Sequence, residues 1–76
     1  MPIVPLLRPK DVIKLFEYFG WQIVRQHRSH IILTKEGSIF TLSVPNHPEV
    51  ARGTLRSLIQ KAGLTVEEFI EAQKLL

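Results

Sequence analysis

Three segments with β-type composition follow one another with very short connections between them. The segments are residues 21–26, 30–34 and 39–44, and the connections are residues 27–29 and 35–38. Parallel strands need a crossover of a dozen or more residues, so connections this short permit only antiparallel neighbours. The sequence therefore predicts a three-stranded antiparallel meander.

The third segment shows the clearest alternation of apolar and polar residues. Phe40, Leu42 and Val44 fall on one face, and Thr41 and Ser43 fall on the other. Such alternation is typical of a sheet with one buried and one solvated face. The buried face needs a covering layer of helices.

One helix is predicted before the meander, over residues 9–19. Its apolar residues from Val12 to Phe19 follow the i, i+3, i+4, i+7 spacing of a single helix face. Pro9 suits the first helical position, and Gly20 suits the residue that ends a helix because it tolerates positive φ.

Two further helices are predicted after the meander. Thr54 is the expected N-cap of the first of them, which Gly63 ends. Thr65 and Glu68 match a capping box, so the last helix is predicted to begin at about Val66. The order α-β-β-β-α-α gives an α+β fold of two layers, with an antiparallel three-stranded sheet and helices on one face. This is the topology of the double-stranded RNA-binding domain with one extra C-terminal helix.

A chain of 76 residues is expected to form a single domain. We divide it into an N-terminal arm (residues 1–8), a core (9–64) and a C-terminal helix (65–76). Ile3, Leu6 and Leu7 are predicted to dock the arm on the body. The chain has no cysteine, which excludes a disulfide-stapled fold, thiolate chemistry and a cysteine zinc site.

The balance of charge favours an anionic partner such as nucleic acid, with a formal net charge of +3 and a pI of about 9.7. The apolar N-terminus lacks the basic region and cleavage site of a signal peptide. No apolar run approaches the roughly 18 residues of a membrane span. The expected location is the cytoplasm, without membrane contact.

Residues 25–30 concentrate two arginines, two histidines, a serine and a glutamine at the start of the second strand. His30 is the candidate proton carrier, because imidazole can take or give a proton near neutral pH. Arg25, Arg28 and Ser29 are candidates for holding a phosphate. The pair His27 and His30 has no acidic residue nearby in sequence, so neither a metal nor another cofactor is predicted.

A second candidate site spans residues 52–56. Arg52, Thr54 and Arg56 lie at the predicted start of a helix, where backbone N–H groups bind phosphate well. The alternative is a well-capped helix whose arginines are only solvated. The roles of His27 and His47 stay open.

An ordered set of short motifs carries a resemblance to a known family. They are Phe19-Gly20-Trp21, Val24-Arg25-Gln26, Ser29-His30, Val44-Pro45-Asn46-His47, Gly53-Thr54-Leu55-Arg56-Ser57-Leu58-Ile59 and Ala62-Gly63-Leu64-Thr65. Over residues 10–69 the sequence resembles the HicA toxins, the RNA-cleaving partners of HicB antitoxins. The resemblance implies metal-independent cleavage of mRNA with His30 as the catalytic group. It also implies a HicB-like antitoxin that forms a hetero-oligomer with an otherwise monomeric toxin.

One position departs from the family motif, because Arg28 stands where the Gly-Ser-His motif has glycine. Either the turn needs positive φ and Arg28 is strained there, or the turn differs and Arg28 gains a phosphate contact. Two alternatives to the enzyme are a non-catalytic RNA-binding module of the same fold and an adaptor that binds only protein.

Overall fold

The computed structural model of the protein describes residues 3–76. Its six elements are α1 (Pro9–Tyr18), β1 (Gln22–His27), β2 (His30–Thr34), β3 (Leu42–Pro45), α2 (Arg52–Lys61) and α3 (Val66–Leu75). The predicted α+β order α-β-β-β-α-α is confirmed.

The three strands form one antiparallel sheet in the order β1-β2-β3. In the register between β2 and β3, Leu33 lies opposite Leu42 and Ile31 opposite Val44. Leu33, Leu42 and Val44 are fully buried, so these side chains face the helices. The predicted meander is confirmed, with the bounds of β1 shifted by one residue and those of β2 as predicted.

The third strand is shorter than predicted. Residues 39–41 lie outside β3, with Ile39 92% and Phe40 50% exposed, so Phe40 does not join the buried face. The backbone N–H of Phe40 donates to Oγ of Ser38 at 3.1 Å, which holds this stretch in a local turn. A side chain that bonds nearby backbone competes in this way with strand pairing.

The helices form a second layer over one face of the sheet. α1 and α2 both pack on β3, and α3 packs on α1 and α2. Phe16 and Phe69 meet in the core with ring centroids 5.2 Å apart. Trp21 is 2% exposed, so it is a core residue and not a platform for stacking a base. Within residues 3–76, none of the helices has the length and apolar character needed to cross a membrane.

The ends of the last two helices test the capping predictions. The box is confirmed at α3, where the Glu68 amide donates to Oγ1 of Thr65 at 3.1 Å and the Thr65 amide donates to Oε1 of Glu68 at 2.9 Å. Thr54 as a cap is wrong, because α2 begins at Arg52 with Ala51 at the N-cap. Tertiary contact sets this start, since the Val50 amide donates to the Leu7 carbonyl at 2.8 Å and keeps the preceding chain extended.

The N-terminal arm docks mainly through Val4, which was not among the residues predicted. Val4 is 2% exposed and belongs to the core, whereas Ile3 is 76% and Leu6 46% exposed. Leu7 packs partly against the core, as predicted. Nε of Arg52 donates to the Val4 carbonyl at 2.9 Å, which holds the arm against the body at this residue.

Candidate functional site

The candidate site is built on the hairpin between β1 and β2. His27 pairs with His30, so only Arg28 and Ser29 form the turn. Arg28 has a φ of 56°. The first of two turn residues is where a type II′ turn requires positive φ and favours glycine. Of the two alternatives for Arg28, the structure therefore shows the first. The turn has positive φ at this position, and the arginine occupies a conformation that favours glycine.

His30 lies on the face of the sheet that no helix covers. Successive residues of a strand point to opposite faces, and the neighbouring Ile31 lies opposite the buried Val44. His30 itself lies opposite Pro45 and is exposed. The imidazole is therefore accessible to a large substrate at the end of the central strand.

The register of β1, which contains a β-bulge, determines which side chains accompany His30. The register passes from Ile23 opposite Leu33 to Arg25 opposite Ile32, which leaves Val24 as the extra residue. Directly opposed residues in an antiparallel pair project to the same face. Arg25, like Ile32, therefore lies on the face of His30. The bulge was not predicted from the sequence, because adjacent apolar residues such as Ile23 and Val24 also occur in a regular buried strand.

The register between β1 and β2 also determines the position of His27. It lies directly opposite His30 and on the same face, and both residues are exposed. The sequence analysis placed His27 in a three-residue turn and assigned it no role. A polar residue beside a turn gives no signal from which its pairing partner could be predicted.

A backbone contact joins the hairpin turn to the loop after β3. The Asn46 amide donates to the Ser29 carbonyl at 2.6 Å. This bond lies next to the pair of His30 and Pro45 and extends the ladder by one step. The turn that carries Arg28 is therefore anchored by β1 and β2, which it joins, and also by the residue that follows β3.

The remaining predicted contacts lie on α2 and not on the sheet. Arg52, Thr54 and Arg56 are exposed in the first half of that helix. Residues 46–51 connect Pro45, which lies opposite His30 at the end of β3, to Arg52 at the start of α2. Part of the Arg52 guanidinium binds the arm through Val4, which gives this residue a structural contact. The first turn of α2 contains no acidic residue and no side-chain cap.

The charged groups of the hairpin have no compensating partner in the described chain. Across residues 3–76 the one ion pair joins Lys74 and Glu71 on α3. Arg25 and Arg28 are exposed. The same residues include no group of three or more His, Cys, Asp or Glu side chains that could hold a metal ion. Two exposed arginines beside a histidine can bind an anionic substrate while imidazole transfers a proton.

The sequence was compared with known proteins and protein families. No curated protein matches it significantly. The family model described as the HicA toxin of bacterial toxin–antitoxin systems matches residues 9–64, which is more than half of the 76-residue chain. The match runs from the start of α1 through the C-terminal end of α2 and includes the whole sheet. The chain belongs to the HicA toxin family.

Proposed function

We propose that this protein is an endoribonuclease toxin that cleaves mRNA without a metal, with His30 as a catalytic residue. The observation that carries the proposal is the position of His30. It is an exposed imidazole on the open face of the sheet, next to Arg25 and the Arg28 turn, in a member of a toxin family.

The chemistry follows from the groups present. The 2′-hydroxyl of the RNA attacks the adjacent phosphorus, and the bond from phosphorus to the 5′-oxygen breaks. The products are a 2′,3′-cyclic phosphate and a free 5′-hydroxyl. His30 transfers a proton in this step, and a positioned imidazole typically contributes about 10²- to 10⁴-fold in rate. Arg25, Arg28 and the Ser29 hydroxyl bind the phosphate oxygens on which charge accumulates.

The contacts on α2 extend the proposed RNA-binding surface. Arg56 is exposed, and the N–H groups at the start of α2, near Thr54, suit a second phosphate. Recognition of this type reads phosphates, shape and 2′-hydroxyls, and not base edges. Arg52 contributes to the same surface with the guanidinium nitrogens that do not bind the arm.

The partner we propose is a HicB-like protein antitoxin that covers the His30 surface. Membership of a toxin family implies a paired antitoxin in general. An exposed catalytic face must be blocked if the cell is to tolerate the enzyme. The free toxin is proposed to be a monomer, and the inhibited form a hetero-oligomer with the antitoxin.

The test compares wild type with His30→Ala on matched RNA substrates. We expect the variant to lose about 10²-fold or more in cleavage rate and to retain its fold and RNA affinity, because His30 is exposed. A single 2′-deoxy sugar at the cleaved position should abolish cleavage, and EDTA should not. Circular dichroism checks the fold, and Lys10→Ala on α1 is an exposed control.

Each result has a distinct meaning. Full activity in His30→Ala would refute the catalytic role of that residue. Cleavage of the deoxy substrate would refute attack by the 2′-hydroxyl. RNA binding without cleavage by the wild type would favour the alternative, a non-catalytic RNA-binding module.

A further inference from the structure

Two histidines lie opposite each other beside the β1–β2 turn. His27 and His30 form the last register pair before Arg28 and Ser29. Directly opposed residues in an antiparallel ladder have Cβ atoms about 4.5–5.5 Å apart. Both side chains are exposed on the same face, and neither has a side-chain hydrogen bond to another group of the described chain. Two imidazoles can therefore reach opposite sides of one phosphate.

We propose that His27 is the second proton-transfer residue of the site, so that catalysis uses a histidine pair. This inference rests on the proposed ribonuclease function. It adds a residue for which the sequence motifs assign no role, and it depends on the two-residue turn at Arg28 and Ser29, which places His27 opposite His30.

The reaction requires two proton transfers in opposite senses. One neutral imidazole takes the proton of the 2′-hydroxyl as the bond between the 2′-oxygen and phosphorus forms. The other imidazole, in its protonated form, gives a proton to the 5′-oxygen as its bond to phosphorus breaks. The pair ends with its protons exchanged between the two rings, and no other reactant is needed. A single histidine would have to perform both transfers within one step.

The groups around His27 leave it as the best-placed partner of His30. Arg25 shares its face on β1, and Arg28 follows it in the turn, but guanidinium does not exchange protons near neutral pH. Across the sheet the facing residue is Pro45, which carries no titratable group. His47 is exposed in the loop after β3 and is the one other imidazole of the chain. It has no register partner on the sheet.

The experiment measures kcat and KM from about pH 5 to pH 9 for wild type, His27→Ala and His47→Ala. Because one imidazole must be neutral and the other protonated, wild type should give a bell-shaped profile. His27→Ala should lose about 10²-fold in kcat and one limb of the bell, with KM within about threefold of wild type. Gln26→Ala, the neighbour on the opposite face of β1, is the matched control and should keep the full profile.

A second substrate identifies the role of His27. Sulfur in place of the bridging 5′-oxygen leaves without a proton, so His27→Ala should cleave this substrate nearly as fast as wild type if His27 is the acid. If His27 is the base, the variant stays slow on both substrates and loses the limb that rises with pH. Either result supports the histidine pair.

Three outcomes would overturn the inference. They are an unchanged bell in His27→Ala, an effect on KM alone, and loss of a limb in His47→Ala with His27→Ala unaffected. Two other results would refute the proposed function itself, independently of His27. They are a wild type that does not cleave RNA and a fully active His30→Ala variant.

Discussion

Arg28 combines a strained backbone with a positive charge, at the end of the hairpin that carries the candidate site. A non-glycine residue in the left-handed region costs about 1–2 kcal/mol, because its Cβ approaches the following carbonyl oxygen. At a φ of 56° Arg28 occupies that region. The exposed guanidinium lies in the turn between His27 and His30. We infer that the strained turn lowers the stability of the fold but places a positive charge where it can contact a phosphate of the proposed RNA substrate.

This inference predicts opposite effects on stability and on RNA affinity. Arg28→Gly should relieve the strain, offset in part by the entropy of glycine in the unfolded chain, and should stabilise the protein by about 0.5–1 kcal/mol. For a domain of this size that is a rise of several degrees in Tm, measurable by thermal denaturation. RNA affinity should fall, because one phosphate contact is lost.

Arg28→Lys is the matched control for this residue. It keeps a positive charge and the strained backbone, so Tm should stay close to that of wild type. A lower Tm for Arg28→Gly than for Arg28→Lys would contradict the assignment of strain to this position. Equal RNA affinity of the two variants would contradict the phosphate contact.

At the scale of elements, the β1–β2 hairpin determines which side chains share a face. Val24 is the extra residue, and the two-residue turn sets the faces of the β1 residues between Val24 and Arg28. Bulges of this kind redirect side chains and are common beside functional sites. The hairpin therefore allows a comparison of two variants of equal length that differ in the face on which Arg25 lies.

Deletion of Val24 and deletion of Gln26 should each produce a regular hairpin if the turn is kept. Without Val24, Arg25 stays opposite Ile32 on the face of His30. Without Gln26, Arg25 moves opposite Ile31 and onto the helix face. The second variant should therefore lose one phosphate contact, which lowers the slope of log affinity against log salt by about 0.7–0.9.

Binding is measured in the His30→Ala background so that the RNA stays intact. Both deletion variants should keep the pair of His27 and His30 and should fold, as judged by circular dichroism. Identical salt slopes in the two deletions would show that Arg25 does not contact phosphate from the His30 face.

The same elements show how far the sequence could predict the fold. Local signals were sufficient for the five-residue span of β2, for the capping box at Thr65 and for Gly20, whose φ of 98° ends α1. They failed where a distant contact decides the outcome. The bond from the Val50 amide to the Leu7 carbonyl moves the start of α2 away from Thr54. One failure has a local cause, since the Ser38 turn removes Phe40 from β3. The histidine pair was missed for another reason, because the turn has two residues and not the three predicted, so that His27 ends β1 opposite His30.

The whole molecule is strongly asymmetric, since all three helices lie on one side of the sheet. The other face carries the candidate site, and the adjoining edge strand β1 is exposed at all of its residues. Val24 is 53% exposed on this edge. An exposed edge strand with apolar residues is a surface that pairs readily with another chain. α3 packs on α1 and α2, on the helix side of the sheet.

The antitoxin is therefore expected to bind over β1 and the open face, and to block cleavage by covering His30. Co-expression with the protein encoded next to the toxin should give a complex in which RNA is protected. Val24→Asp should weaken this complex, whereas Leu75→Asp on α3, at a residue 68% exposed, should not. An excess of His30→Ala toxin should take up the antitoxin and restore cleavage by the wild type, because the variant keeps the same surface. A complex that forms but leaves cleavage unchanged would show that the antitoxin binds elsewhere, and equal weakening by the two aspartate variants would argue against β1 as its docking strand.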